Sequence, residues 1–147
     1  MMKRIILRFK EIIKVFIQRS KTWFTGGREY TLEDFLKADD TYNIIRELTD
    51  DISLISKNTG IPTFKIQKIK NHLFFKQHIL DRGLDRFDSD PAIAEAWYRL
   101  VNNQFGSDDL KLLEHEYFES RFESLFKTDY RTAHNAAIRS GRSSGLD

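Results

Sequence analysis

Apolar residues recur along this chain mainly at intervals of three and four positions, which is the spacing of one face of an α-helix. The clearest stripe lies in the N-terminal segment and consists of Ile5, Phe9, Ile12, Ile13 and Phe16. We find no convincing alternation of period two, the signature of a half-buried strand, and no internal repeat. The pattern therefore predicts an all-α fold, a compact bundle of about seven helices that contains a helix-turn-helix-like hairpin.

Capping and breaking residues divide this pattern into helices. Residues 31–34, with the sequence TLED, approximate a capping box that starts one helix, and Asp39 or Asp40 starts the next. Later helices are expected to begin at Asp90-Pro91, after Ser107 and after Thr128.

The stretch from Asp51 to Leu80 has the pattern of two helices joined by a tight turn. Gly60 occupies the position where a helix ends with positive φ, and Pro62 suits the first turn of the next helix, which we expect to run to Gly83. The second helix is basic and carries Lys65, Lys68, Lys70 and Lys76. A phosphate-binding helix requires such charge, although a structural hairpin with a solvated face has the same pattern.

Charge separates the N-terminal segment from the rest of the chain. Residues 1–28 hold eight Lys and Arg against Glu11 alone, whereas the whole chain of 147 residues has a net charge of +2. We therefore divide the sequence at Gly26-Gly27 into a basic amphipathic N-terminal helix (1–27), a helical domain (28–141) and a flexible tail (142–147). Residues 3–21 are expected either to pack on the body or to contact an anionic membrane, nucleic acid or a partner.

Several classes of protein are excluded by what the sequence lacks. It contains no Cys, which excludes disulfides, thiolate metal sites and a cysteine nucleophile. No apolar run approaches the roughly 20 residues of a transmembrane helix, and no signal peptide is recognisable. The absence of a G-x-S-x-G elbow, a P-loop and a Rossmann glycine fingerprint argues against a serine hydrolase and the common nucleotide-binding enzymes.

The candidate catalytic groups are the four histidines, His72, His78, His115 and His134. His72 lies on the basic helix, where Lys70 would hold a phosphate and His72 would move a proton near neutral pH. His78 follows six residues later and does not share a helical face with His72 within one turn.

The densest polar cluster is the segment His115-Glu116-Tyr-Phe-Glu119. Because His115 and Glu119 are spaced i,i+4, both project from one helical face, as metal ligands on a helix do. Glu116 resembles the glutamate of the zinc-binding H-E-x-x-H motif, but Glu119 replaces its second histidine. His134 is a candidate third ligand. A metal centre, metal-free acid and base catalysis, and an ordinary polar helix surface all remain open.

From Ile66 to Ala137 the chain resembles a bacterial module found at the C-termini of polymorphic toxins and of phage minor-head-protein fusions. The residues that carry the likeness are Lys70, His72, His78, Gly83, Phe87, Trp97, Leu100, His115, Glu116, Glu119, Ala133 and His134. The resemblance covers about half the chain. It implies an effector domain with a polar site built from these histidines and glutamates, in the bacterial cytoplasm or delivered to a target cell.

The sequence thus favours a toxin-like bacterial effector that hydrolyses nucleic acid. The expected catalytic residues are His72, His115, Glu116 and His134; the expected phosphate-binding residues are Lys65, Lys68 and Lys70; the expected ligands of a divalent metal, Mg²⁺ or Zn²⁺, are His115, Glu119 and His134. An immunity protein is an expected partner. The alternatives are a non-enzymatic helix-turn-helix module that binds DNA or a partner, and a metal-dependent peptidase. If one site exists, His72, His115, Glu119 and His134 should meet in a single pocket.

Overall fold

A computed structural model describes residues 23–25 and 28–146, with side chains from residue 29 onward. The N-terminal stripe over residues 5–16, and with it the predicted contact surface 3–21, lies outside the described residues. The helices are α1 (Leu32–Glu47), α2 (Asp51–Thr59), α3 (Thr63–Lys70), α4 (Pro91–Val101), α5 (Ser107–Phe126) and α6 (Tyr130–Arg139). Two short antiparallel hairpins join β1 (Trp23–Thr25) to β2 (Arg28–Tyr30) and β3 (His78–Leu80) to β4 (Gly83–Asp85).

The all-α prediction is confirmed, with six α-helices in the described part of the chain where about seven were predicted. The capping box is present, because Thr31 Oγ1 accepts a hydrogen bond from the Asp34 amide and Asp34 accepts one from the Thr31 amide. The predicted restart at Asp39 or Asp40 is wrong. Helix α1 continues through both residues because Ala38, Tyr42 and Ile45 are buried on one continuous face.

The helical hairpin around Gly60 is present as predicted, and its second helix is shorter than expected. Gly60 ends α2 with φ of 75°, a left-handed conformation that glycine adopts without a Cβ clash. Helix α3 passes into a π-helical turn, Asn71–Phe75, and ends there instead of reaching Gly83. Hairpin β3–β4 follows, and its three-residue strands are too short to display an alternating pattern.

The N-terminal boundary also differs from the prediction. The predicted N-terminal helix extends to residue 27, but Trp23 and Phe24 lie in β1, where Trp23 pairs with Tyr30 and Phe24 with Glu29. At the other end, the expected flexible tail contacts the body. Ser144 is buried, and the carbonyl of Arg142 lies 2.6 Å from Nδ1 of His115. None of the helices in the described chain has the length and apolar character required to cross a bilayer.

The core lies between α1, α2, α3, α4 and α5. Phe74, from the π-helical turn, makes edge-to-face contacts with Tyr42 and Trp97 at centroid distances of 4.7 and 5.1 Å. Buried aliphatic side chains from the surrounding helices complete it, namely Ile45, Ile55, Ile66, Ile69, Leu73, Leu100 and Leu113. This core holds the π-helical turn against α5, which carries the cluster of acidic residues described below.

One ion pair is completely enclosed by this core. The carboxylate of Asp51 accepts hydrogen bonds from Lys70 Nζ at 2.9 Å and from Trp97 Nε1 at 3.1 Å, and Lys70 Nζ also donates to the carbonyl of Leu48. Asp51 and Lys70 are 0% and 4% exposed. The Lys70 ammonium is therefore not available to a phosphate at the surface, contrary to the sequence prediction, because the fold uses its charge to satisfy a buried carboxylate.

A second ion pair joins α4 to the start of α5. Arg99 donates from Nη2 to Asp109 Oδ1 at 2.7 Å and from Nε to Oδ2 at 3.0 Å, and Oδ2 also accepts from the Gly106 amide. Burial works to raise the pKa of Asp109, but Arg99 and the amide outweigh it and hold that pKa below its usual value.

We expect Asp109→Asn to lower the free energy of unfolding by about 2 kcal/mol at neutral pH, as for a hydrogen bond to a charged group. Because the folded-state pKa lies below the unfolded one, this stabilisation is present above about pH 4 and is lost as pH falls through the folded pKa. Urea unfolding at neutral and acid pH measures the difference. Asp108→Asn is the control, since the side chain of Asp108 is exposed and its contact with Lys111 is long, at 3.4 Å. A difference that persists undiminished at acid pH would contradict the prediction.

Candidate metal centre

Helix α5 supplies the acidic half of a buried polar cluster. Glu116, Glu119 and Glu123 are spaced i, i+3 and i+7, so they share one face, and His115 lies beside them. All four are buried, with exposures of 6%, 1%, 6% and 1% in the order Glu116, Glu119, Glu123, His115. Carboxylates are rarely buried to this extent unless they are paired or coordinate a metal. The face therefore requires positively charged or hydrogen-donating partners.

Three histidines reach this face from three other elements. His72 comes from the π-helical turn, His78 from β3 and His134 from α6. The π-helical turn is placed where α3 meets α5, and π-helical turns occur frequently at functional sites. We name the seven residues His72, His78, His115, Glu116, Glu119, Glu123 and His134 the His–Glu cluster.

Glu119 lies at the middle of the cluster. Its Oε2 atom is 2.5 Å from His115 Nε2 and 2.9 Å from His134 Nδ1, and its Oε1 atom is 3.3 Å from His72 Nε2. His115 Nε2 and His134 Nδ1 are themselves 3.2 Å apart. The four side chains therefore meet in one buried cluster; of these four, His134 lines the cleft described below and the other three do not. Their catalytic and metal-binding roles stay predictions.

The second part of the cluster involves His78 and Glu123. His78 Nδ1 lies 2.8 Å from Glu123 Oε2, and His78 Nε2 lies 2.7 Å from the carbonyl oxygen of His72. The ring of Phe87 stacks on His78 at a centroid distance of 3.8 Å. These contacts hold His78 next to His72, and the Phe87 ring covers one face of the His78 ring.

The orientation of His115 suits a metal ligand. Its Nδ1 lies 2.6 Å from the carbonyl oxygen of Arg142, which can only accept a hydrogen bond, so Nδ1 carries the proton. In the neutral imidazole this leaves the lone pair on Nε2, which faces Glu119 and His134. A backbone carbonyl that fixes the tautomer in this way is the usual outer partner of a metal-bound histidine.

The electrostatics of the cluster follow from burial and from its paired charges. Burial works to lower the pKa values of His72 and His115, but the neighbouring glutamates outweigh it and raise both to about 9. Burial works to raise the pKa of Glu119, but hydrogen bonds from His115, His134 and His72 hold it well below its usual range. Burial, with the negative charge of Glu119, raises the pKa of Glu116 despite the contact with His72 Nε2 at 3.4 Å. The buried carboxylates therefore stabilise the protonated, positively charged forms of His72 and His115.

The donor atoms are arranged so that they could hold cations. Three overlapping trios place one possible ligand atom per residue within 4.8 Å of one another: His115, Glu119 and His134; His72, Glu116 and Glu119; His72, His78 and Glu123. Imidazole nitrogen and carboxylate oxygen together suit divalent ions such as zinc, manganese and iron.

A cleft of about 800 Å³ opens beside the cluster, and Glu116 and His134 are the two cluster residues that line it. The rings of Phe87 and Tyr130, which contact each other edge to face at 5.0 Å, also lie on its wall. Its acidic lining consists of Asp81, Asp88, Asp90, Asp129 and Glu116. The two arginines that line it are both paired, Arg82 with Asp88 and Arg131 with Asp81.

The predicted phosphate-binding lysines lie away from this cleft. Lys65, Lys68 and Lys70 are not among the described residues that line it. Lys65 Nζ lies over the ring of Tyr117 at 5.1 Å, and Lys70 is enclosed with Asp51. The cleft is therefore acidic on its own, and an anionic substrate would need a bound cation to approach the His–Glu cluster.

Glu123 is absent from the predicted site, although its spacing from Glu116 and Glu119 along one helical face is a usable signal. His78 is among the predicted candidates, but the prediction of a continuous helix puts it on a different face from His72. The π-helical turn and the chain reversal into β3 bring the two rings into edge-to-face contact at 4.5 Å.

Comparison of the chain with protein-family models, with curated proteins and with solved structures found no match.

Proposed function

We propose that this protein is a metal-dependent hydrolase whose catalytic metal is bound by His115, Glu119 and His134. The observation that carries the proposal is the meeting of His115 Nε2, His134 Nδ1 and Glu119 Oε2 around one point. Two histidines and one glutamate form a common ligand set of catalytic zinc sites, in which a water molecule completes the coordination. His134 lines the cleft, so the open coordination position would be accessible to substrate.

The metal would supply Lewis-acid polarisation of the substrate and a bound water of lowered pKa. The chain's own residues would orient these groups. His115 is held by the Arg142 carbonyl, and Glu116 lies next to the trio on the cleft side. Three buried carboxylates share the cluster, and a bound divalent cation would offset part of their charge.

We propose a phosphodiester of nucleic acid as the substrate, in a toxin-like effector with an immunity protein as its partner. A cleft of about 800 Å³ has room for a nucleotide. Phe87 and Tyr130 offer aromatic surfaces on which a base can stack, and the metal charge would offset the acidic lining. The toxin-like context rests on the sequence resemblance alone.

A peptidase is the second candidate. The H-E-x-x-E segment supplies two ligands from one helix with Glu116 in the position of a catalytic glutamate, as in zinc peptidases. The acidic lining of the cleft tolerates a peptide better than a polyanion. For the non-enzymatic alternative, a DNA- or partner-binding hairpin, the described part of the chain offers the half-exposed Lys65 and Lys68 on α3, since Lys70 is buried.

The test is a cleavage assay with defined metals. Protein freed of metal with EDTA is reloaded with Zn²⁺, Mn²⁺ or Mg²⁺ and incubated with single-stranded DNA, plasmid, total RNA and labelled casein. We expect metal-dependent cleavage of nucleic acid that His134→Ala abolishes and that Ile138→Ala, an exposed position one turn further along α6, leaves unchanged. Cleavage of casein alone would establish the peptidase instead. No cleavage with any metal would overturn the hydrolase and favour the binding module.

A further inference from the structure

Glu119 has a second carboxylate oxygen that the trio of His115, Glu119 and His134 does not use. Oε2 of Glu119 faces His115 and His134, whereas Oε1 lies 3.3 Å from His72 Nε2 on the other side. A carboxylate whose two oxygens face two different donor sets is placed to bridge two metal ions. In hydrolytic two-metal sites the ions lie about 3.5–4 Å apart.

Glu116 supplies independent evidence for a second ligand position. Its Oε2 atom is buried and has no hydrogen-bond partner among the described residues. It lies 3.4 Å from Nε2 of His72, and Glu116 is 6% exposed while His72 is 1% exposed. A buried carboxylate oxygen without a hydrogen bond is costly, and metal coordination would satisfy it.

We propose that His72 Nε2, Glu116 Oε2 and Glu119 Oε1 bind a second divalent cation, so that Glu119 bridges a dinuclear centre at the floor of the cleft. The inference rests on the proposed function, because Glu119 is shared with the first metal site. His72 is positioned for this role, because its Nε2 lies 3.4 Å from Glu116 Oε2 and 3.3 Å from Glu119 Oε1, and the rings of His78 and Phe87 contact its ring edge to face at 4.5 and 5.4 Å.

The two sites differ in their donors. The first offers two imidazole nitrogens and one carboxylate oxygen, and the second offers one nitrogen and two oxygens. Nitrogen-rich sites favour zinc, whereas oxygen-rich sites suit manganese and magnesium. The first site is therefore expected to hold zinc more tightly, and the second to accept manganese or magnesium. Two divalent ions also exceed the charge of Glu116 and Glu119, which makes the floor of an acidic cleft attractive to a phosphodiester.

The other trio, His72, His78 and Glu123, is a less suitable place for the second ion. His78 Nε2 is engaged by the carbonyl of His72, and Phe87 covers the ring of His78. An ion there would be closed off by these side chains and would not share Glu119. The assignment is therefore decided by whether Glu116 or His78 is needed to bind the second ion.

The experiment measures Mn²⁺ and Zn²⁺ bound per chain by elemental analysis after gel filtration and by titration calorimetry. We expect two ions in the wild type, one in Glu116→Gln and two in Glu114→Gln, an exposed position on the same helix. His134→Ala is expected to lose the first ion. His78→Ala is expected to keep both ions; loss of the second ion there, with Glu116→Gln retaining it, would overturn the assignment to Glu116.

The outcomes separate this inference from the proposed function. One ion in the wild type that Glu116→Gln retains would overturn the second site and leave the hydrolase intact, whereas no bound ion would overturn both. Electron paramagnetic resonance of the Mn²⁺-loaded wild type needs no variant to fold. We expect the exchange-coupled signal of a manganese pair; the resolved hyperfine lines of isolated Mn²⁺ at full loading would overturn the bridge.

Discussion

Glu119→Gln is expected to remove metal from the His–Glu cluster and to lower the cleavage rate by more than about 100-fold. Loss of an outer partner of a metal ligand lowers metal affinity or activity by about 10–100-fold, and loss of a direct ligand should exceed that range. Glu119 contacts His72, His115 and His134, and glutamine keeps its size. The amide, however, has one oxygen in place of two and no negative charge. It therefore cannot bridge two donor sets or neutralise a divalent ion.

The measurements are the bound metal per chain and the rate of nucleic-acid cleavage at saturating metal. Glu114→Gln makes the same chemical change at an exposed position of α5 and should leave both quantities unchanged. Circular dichroism establishes that each variant remains folded. Full metal content and an unchanged rate in Glu119→Gln would mean that the metal is bound without Glu119 and that Glu119 belongs to a structural hydrogen-bond network.

Asp51→Asn is expected to lower the free energy of unfolding by about 3–5 kcal/mol, the range for removing one partner of a buried ion pair. The substitution leaves Lys70 enclosed without an opposite charge, because Asp51 is the carboxylate that its ammonium contacts at 2.8 Å. It also weakens the hydrogen bond from Trp97 Nε1. Asp51 links the start of α2 to α3 and α4, so the effect should be global.

Urea denaturation followed by tryptophan fluorescence measures this change, since Trp97 is buried against the pair. The control is Asp50→Asn. Asp50 precedes Asp51 at the helix start, is exposed and makes no side-chain capping bond, so its replacement should change stability by no more than about 0.5 kcal/mol. If Asp51→Asn is as mild as the control, the buried ion pair contributes little to the stability of the fold.

Local features of the fold were predictable because neighbouring residues produce them. The capping box at Thr31, the left-handed turn at Gly60 and the start at Asp90-Pro91 each depend on contacts within a few positions of the chain. The prediction of a helix restart at Asp39 or Asp40 failed for the opposite reason. Aspartates resemble caps in isolation, but burial of Ala38, Tyr42 and Ile45 along one face carries the helix through them.

The sequence alone determined the helical class, the helix boundaries at Thr31, Gly60 and Asp90-Pro91, and the residue types of the candidate site. The sequence identified four candidate residues of the site. Helical spacing puts His115, Glu116 and Glu119 close together on one helix, and His134 lies on the next helix. These features follow from local hydrogen bonding and from the periodicity of apolar residues.

Only the tertiary structure decided the membership and geometry of the cluster. His72 and Glu119 are 47 residues apart, and they meet because the core anchors the π-helical turn on α5. His78 joins them through the reversal into β3, and Lys70 leaves the predicted phosphate-binding set because Asp51 is buried beside it. Long-range packing sets which polar groups share a low-dielectric interior, and no local pattern in the sequence encodes that choice.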